Sequence, residues 1–436
     1  MIGEISMDLL EQIHRAGIVG AAGMGFPTDI KLNVKADTLI ANGIECDLLL
    51  NTNRCEMEVF AHEIVQGLRA AAEQVGASDV VIAIREKNSA ALQAMQYAAH
   101  GMNIRFYISD SVYTAGDEVN LTYQITGRMT PPCGHPADVG CVVINVSTLR
   151  NIAHALQGKP VTERVVTVTG AVSDPQVMVC SIGTPFSALI NAAGGSVEDS
   201  VYLVGGGIAG TLIEHLNGNV SQTTGGLIAL PRQHILIGKK RGETFGRPTM
   251  CTQCGFCTQM CPRNAMGYIV QPHKAMRACM LGDSVFTEKA VGAYSCSGCG
   301  VCTLFACQFG LDPAGYMRDA HNSLLETGMG PSEEWKRGTQ NKVQSRGIPM
   351  VRLLKRLDLE KYDKVLPFNA EILDCEYVEI PLRTLAAEAA VPVVDCGQWV
   401  EKGQQIARAN GISANIYASI SGQITEITKE WIKIQK

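Results

Sequence analysis

Two short cysteine runs constrain this chain more than any other feature. Residues 251–262 read CTQCGFCTQMCP, and residues 296–310 read CSGCGVCTLFACQFG. The first is C-x2-C-x2-C-x3-C-P; the second is C-x2-C-x2-C-x4-C. Thiolates two residues apart can wrap one iron–sulfur cubane, and the fourth cysteine of each run then serves the other cluster. That crossed pattern predicts one [4Fe–4S] cluster on Cys251, Cys254, Cys257 and Cys307, and a second on Cys296, Cys299, Cys302 and Cys261. Gly255, Gly298 and Gly300 let the backbone close round the sulfurs and turn N–H groups toward them. Structural zinc also takes four cysteines, but usually from separated C-x2-C pairs. Disulfides are a third reading of eight crowded thiols. The triplet spacing favours clusters, and with them electron transfer.

Composition removes several other classes. A chain of 436 residues has material for two to four domains. An apolar fraction of 46% leaves room for several cores. A net charge of -5 with no long basic block argues against nucleic acid. The first residues, MIGEISMDLLEQIHRAG, lack the basic-then-apolar plan of an export signal. No apolar run reaches the roughly 18 residues of a membrane span. Eight further cysteines (Cys46, Cys55, Cys133, Cys141, Cys180, Cys279, Cys375 and Cys396) are scattered, as small buried residues of a cytoplasmic protein would be.

The N-terminal part alternates helix and strand. A short helix is expected over residues 6–15, then a glycine-rich loop with Gly20, Gly23 and Gly25. Such a loop can expose N–H groups to phosphate, or simply turn the chain. It lacks the preceding strand of a dinucleotide fingerprint and the Gly-Lys-Ser/Thr of a P-loop. A strand should end at Asn42, followed by a long helix over 56–75, a strand over 79–84, a helix over 89–100 and a strand over 104–108. This is the rhythm of a mostly parallel sheet covered by helices. Asp117 and Glu118 follow Gly116 at a helix start, where they either cap the helix or hold a cofactor. A strand over 141–146 precedes a helix capped by Ser147 or Thr148. Beyond residue 160, strands, a helix from about Pro185 and the turn Gly205–Gly207 suggest a small β domain. The IGKKRGE stretch over 237–243 reads as a solvated linker. Leu353, Leu354 and Leu357 mark an amphipathic helix whose basic face suits an acidic partner. Short strands with glycine turns close the chain, and their ASISGQI turn has no lysine for a prosthetic arm.

GAAGMGFP, NGIECD, YTAGDEVNL and GHPADVGCVVINVSTL, in this order, resemble the flavin- and NADH-binding domain shared by the complex I flavoprotein subunit and the Rnf complex C subunit. ERVVTVTG, IGTPF and GGGIAG bring the likeness closer to the Rnf C type. The barrel-sandwich domain stands at the C-terminal end here, not the N-terminal one. That order resembles the soluble Rnf-C-like proteins, which include the cobalamin reductase of propanediol-utilisation microcompartments and amino-acid-reductase electron-transfer proteins. The resemblance implies an α/β multidomain chain. A Rossmann-like FMN/NADH-binding domain would span 1–160 and a β-grasp (SLBB) domain 161–240. A two-cluster ferredoxin-like helical domain would take 241–370, and a barrel-sandwich hybrid 371–436. It assigns FMN to Gly20, Gly23, Gly25, Lys31, Asn42, Glu45, Gly116, Asp117, Glu118, Asn145 and Thr148. Ala21, Ala22 and Met24 depart from the family's loop, and Asp47-Leu48 replaces its Glu-Pro, so FMN is better supported than NAD(H).

The implied activity is a flavo-iron–sulfur oxidoreductase taking electrons from NADH through FMN and two [4Fe–4S] clusters to a partner protein or corrinoid. The alternative is a relay that accepts electrons from ferredoxin without oxidising NADH. No catalytic triad or carboxylate pair emerges, and His14, His62 and His135 read as structural or surface groups. Expected partners are ferredoxin, flavodoxin, a reductase or a corrinoid enzyme, with self-association left open. The expected location is the cytoplasm, free, in a microcompartment or attached to a larger enzyme.

Overall fold

A computed structural model describes residues 8–23, 25–45, 47–242, 250–280, 291–326, 328, 347–384 and 388–436. The expectations for Cys46 and for the side chain of Cys279 fall outside the described residues.

The N-terminal part contains α1 (Leu9–Ala16), α2 (Thr28–Leu32), β1 (Thr38–Asn42), α3 (Thr52–Val59), α4 (Ala61–Val75), β2 (Asp79–Arg85) and α5 (Ser89–Ala98). It continues with β3 (Arg105–Ser109), β4 (Val112–Tyr113), α6 (Glu118–Thr126), β5 (Cys141–Asn145) and α7 (Val146–Ala155). Four strands form a parallel sheet in the order β3-β2-β1-β5. Every residue of β1 is buried, as a central parallel strand covered on both faces requires. Asn42 and Asn145 pair at the same end of β1 and β5, where α/β sheets bind ligands.

Two local expectations need correction. The helix expected over 56–75 is two helices broken at Phe60, whose φ of -113° and ψ of 28° are not helical. The Phe60 ring meets Phe368 edge-on at 5.9 Å and lies 3.7 Å under the Arg150 guanidinium, contacts that hold the break. The cap of α7 is Asn145, whose side chain accepts the Ser147 N–H, and neither Ser147 nor Thr148.

The next unit contains β6 (Glu163–Gly170), β7 (Gln176–Ser181), α8 (Phe186–Ala192), β8 (Ser200–Val204), β9 (Thr211–Ile213), β10 (Gly226–Pro231) and α9 (Ile235–Lys240). Its sheet has six strands because β12 (Phe368–Leu373) returns from beyond the cysteine runs and lies parallel to β7. The chain therefore leaves this sheet, builds the cysteine region and rejoins it. The basic stretch expected as linker is largely α9, and Lys240 donates to the carbonyls of Ile208 and Gly210 at 2.7 and 2.6 Å.

In the cysteine region, α10 (Phe256–Gln259) lies within the first run, followed in the chain by α11 (Pro262–Ala265) and α12 (Pro272–Met280), while α13 (Pro313–Glu326) follows the second run. The short strand β11 (Ile348–Pro349) pairs with β4, and the helix Met350–Arg356 then buries Leu353 and Leu354. The C-terminal strands form a four-stranded and a three-stranded sheet. Their core is continuous with the N-terminal domain: Ile13 and Ile18 share a cluster with Ile406, Ile432 and Ile434. Asn415 donates to the His14 carbonyl at 3.1 Å, so the end of the chain seats on α1. Among the described residues, no helix is long and apolar enough to cross a membrane.

Helices α4 and α7 meet at Gly67, where a Cβ would fall 1.9 Å from the Leu149 carbonyl oxygen. In an exposed helix Gly→Ala stabilises by about 1 kcal/mol. Here overpacking reverses the sign, and Gly67→Ala is expected to destabilise by about 1–3 kcal/mol. Urea denaturation, followed by a lower midpoint at unchanged slope, checks this.

Candidate functional site

The loop after α1, the C-terminal ends of β1 and β5, and the start of α6 surround one cleft of about 620 Å³, a size suited to a cofactor. Gly20, Gly23, Lys31, Asn42, Glu45, Gly116, Asp117, Glu118, Asn145 and Thr148 line it. Gly25 does not. Its φ of 73° turns the loop, and a Cβ there would meet Thr223 and Thr384 at 3.0 Å, so packing accounts for the glycine. Thr148 accepts the Ala21 N–H at 3.0 Å and anchors the loop. Asn42 donates to the Gly116 carbonyl at 2.9 Å and accepts the Ile44 N–H at 3.1 Å. Lys31 pairs with Glu118 at 2.6 Å. Asp117 caps α6 through the Asn120 N–H and binds Arg263 at 2.9 Å, so its carboxylate is structural on both sides.

The cleft also contains residues the sequence reading did not select. Arg164 on β6 is buried, and its guanidinium donates to Ala21 O at 2.9 Å and Thr224 O at 3.1 Å, tying the glycine loop to the second unit. Its sequence signal is a charge at a strand position that turns out to be buried. Burial pulls its pKa down. Thr28 also lines the cleft; its hydroxyl is buried and has no hydrogen-bond partner, an orphan that a ligand oxygen would satisfy. With the N–H groups of an open glycine loop and a nearby lysine, this donor set fits a phosphorylated flavin.

Asp47 seals the side of the cleft facing the second unit. Its carboxylate accepts N–H groups from Leu48 at 2.6 Å, Ile208 at 2.8 Å and Ala209 at 2.6 Å. Burial raises its pKa, while these donors and Lys240 oppose the rise. Glu45 accepts the Asn53 and Arg54 N–H groups at 2.6 and 3.3 Å, at the start of α3. Burial pushes Glu45 up to about 7 despite the opposing charge of Arg85.

The second cysteine run reaches the same cleft, which Ser297, Gly298 and Cys299 help to line. Tyr113, another lining residue, donates its hydroxyl proton to the Cys299 carbonyl at 2.9 Å. The runs also meet each other. Cys257 is pushed up to about 11 by burial, with further contributions from Cys307, Cys251 and Cys254. Cys261 is pushed up to about 12 by burial, with further contributions from Cys299 and Cys296. Cys302 is raised by burial and then by Cys299, Cys296, Cys261 and Cys257. Cys257 thus feels the charge of Cys307, and Cys261 that of Cys296 and Cys299. The extra residue before Cys307 is absorbed by a π-helical turn, Cys302–Ala306, with the Cys307 N–H on the Cys302 carbonyl at 3.0 Å. Donors already point at sulfur: Gly298 N–H to Cys296 at 3.5 Å and the Gln253 amide to Cys251 at 3.2 Å. Among the described residues, no three His, Cys, Asp or Glu side chains are gathered as a site for a metal ion. The set of eight thiols fits clusters by its chemistry.

Comparison with known proteins agrees with this geometry. Residues 13–154 match the Nuo51 FMN-binding domain, 250–312 a 4Fe-4S dicluster domain and 370–436 the RnfC barrel sandwich hybrid domain. The chain is 34% identical over 438 residues to the cobalamin reductase PduS of Citrobacter freundii, covering 97% of this chain and 95% of that one. It is 32% identical over 260 residues to the RnfC-type component of the Na(+)-translocating ferredoxin:NAD(+) oxidoreductase complex of Acetobacterium woodii, covering 58% and 57%. Among solved structures, an air-oxidised NAD+-reducing [NiFe]-hydrogenase matches with a TM-score of 0.48 and 19% identity, over 81% of this chain and 66% of that one, a likeness too loose to carry weight. FMN and 4Fe–4S clusters are therefore the cofactors of this fold.

The raised pKa of Glu45 has a consequence for stability. A carboxyl group held above its unfolded value favours the fold least when ionised. The penalty is absent well below pH 4.5, grows as pH rises and is complete above about 7. At full size it is about 3 kcal/mol. Glu45→Gln should therefore stabilise the protein relative to wild type more at pH 8 than at pH 5, as read by paired denaturation curves.

Proposed function

The chain belongs to the family of the cobalamin reductase PduS, with the RnfC-type component of Rnf complexes as a further homologue, and is a flavin and iron–sulfur electron-transfer oxidoreductase; from that premise we propose that it takes electron pairs from NADH and delivers single electrons to a partner protein or its corrinoid. The observation that carries this reading is the shared wall. The glycine loop, the Asn42 and Asn145 strand ends and Cys299 all line one cleft, and electron transfer falls steeply with distance.

Bound FMN would exchange a hydride for single electrons, which [4Fe–4S] clusters can relay one at a time. The residues proposed to hold it are Gly20, Gly23, Lys31, Asn42, Glu45, Gly116, Glu118, Asn145 and Thr148, joined by Thr28. Gly25 shapes the loop, and Asp117 orients α6. The loop amides and Lys31 suit the phosphate. Asn42, fixed by Gly116 and Ile44, presents a rigid amide at the sheet end. Arg164 holds the loop closed against the second unit.

We assign one cluster to Cys296, Cys299, Cys302 and Cys261, and the other to Cys251, Cys254, Cys257 and Cys307. The first set touches the cleft through Cys299, which suits entry. The second includes exposed Cys254, which suits exit. We further read the N-terminal unit as Rossmann-like over 1–160 and the β unit as an SLBB-type β-grasp over 161–240 with β12 added. The cluster region then covers 241–370, and the barrel-sandwich unit 371–436. Ferredoxin, flavodoxin, a reductase or a corrinoid enzyme would be the partner, in the cytoplasm or a microcompartment.

Anaerobic purification with flavin and iron analysis, followed by NADH titration, tests this reading. Bleaching of flavin and cluster bands is expected. Bound FMN without bleaching would remove NADH and leave ferredoxin or the partner as donor. In electron paramagnetic resonance, Cys307→Ser and Cys254→Ser should erase one and the same cluster signal, and Cys261→Ser and Cys299→Ser the other. Loss of the same signal in Cys307→Ser and Cys299→Ser would show that the sets are not crossed.

A further inference from the structure

Beyond the flavin cleft lies a second cavity, of about 350 Å³, lined by Arg54, Glu58, Arg85, Lys87, Asp363 and Lys364 among others. It opens to solvent past exposed Lys87, Ala90 and Lys364. Among the described residues, three line both spaces: Glu45, Asp47 and Leu50. Leu50 cannot hold a proton, and both oxygens of Asp47 already accept N–H groups. Glu45 is the remaining protonatable group between them, with Oε1 occupied by the Asn53 and Arg54 N–H groups.

We propose that Glu45 is the proton relay of the flavin site, carrying protons between the cleft and the second cavity. The inference rests on the flavin reading above. Its balance is simple. A hydride is one proton with two electrons; when both electrons leave singly for the clusters, one proton remains in the cleft. That proton goes to Oε2 of Glu45, converting carboxylate to acid, and from there to water in the second cavity. Reduction from the clusters runs the same transfer inward. The charges facing Glu45 are Arg85 on β2, Glu56 on α3 and Arg164 on β6, while Arg54 offers it only a backbone N–H. Their opposing signs, with burial, leave Glu45 close to neutrality in its titration, where a relay must both take and release protons.

The test uses the flavin- and cluster-loaded protein and its Glu45→Gln variant. Redox titration of the flavin across pH 5 to 9 should show a bend near pH 7 in wild type and none in the variant. In stopped flow, the cluster reduction that follows flavin reduction should slow on the order of 10²-fold in the variant. Glu45→Asp should restore part of the rate. Ala90→Trp, which fills the second cavity and leaves Glu45 in place, should slow the same step. A wild-type potential profile and a wild-type cluster reduction rate in Glu45→Gln would overturn the relay. A wild-type rate in Ala90→Trp would overturn its route. Should NADH fail to reduce the flavin, the donor assignment falls while the potential titration, which uses a chemical reductant, still decides the role of Glu45.

Discussion

The Asp47 carboxylate is the joint on which this architecture depends. It belongs to the loop after β1 that carries Glu45, yet two of its three N–H donors, Ile208 and Ala209, come from the second unit. The approach is close enough that a Cβ on Gly206 would fall 2.1 Å from Asp47. A buried carboxylate is stable only when its lone pairs are satisfied. Charge-assisted bonds of this kind are about twice as strong as neutral ones. Lys240 completes the joint from α9 by holding the Ile208 and Gly210 carbonyls.

From that joint the constraint passes to the cysteines. Ile208 lies in one apolar cluster with Val301, Leu304, Leu353 and Leu357. A Cβ on Gly300 would meet the Ile208 side chain at 3.0 Å, so the second cysteine run can approach only as glycine. Tyr113 and Arg263 add polar ties from the N-terminal unit to the same region, through Cys299 O and Asp117. The spacing between a flavin site and the nearer cysteines is therefore held by packing and by directed hydrogen bonds from three separate units. Relays need such rigidity, because small displacements of a donor change rates steeply.

Much of the N-terminal domain was legible because its helices and strands are short, periodic and locally punctuated. Asn42 stands where the strand was expected to end, and ten of the eleven flavin candidates line one cleft. The misses share a cause. Phe60 breaks a helix through contacts with Phe368 and Arg150, residues far away in sequence that no local pattern registers. Gly25 looked like its neighbours Gly20 and Gly23 but is committed to packing on Thr223 and Thr384. Arg164 and Thr28 carried no motif; their meaning lies in what surrounds them after folding.

The sequence alone determined the eight thiols and the chemistry they share, because ligand spacing within a short run is a local property of the backbone. It also determined the α/β rhythm that places Asn42 and Asn145 at one sheet end. Only the tertiary structure decided that the extra residue before Cys307 winds into a π turn and that Cys299 lines the flavin cleft. It alone left Glu45 as the carboxylate standing between two cavities without a full set of donors from the second unit. The seating of Cys299 at the cleft and of Asp47 on the second unit depends on contacts between residues more than a hundred positions apart, and burial and proximity across such distances have no period that a linear reading can detect.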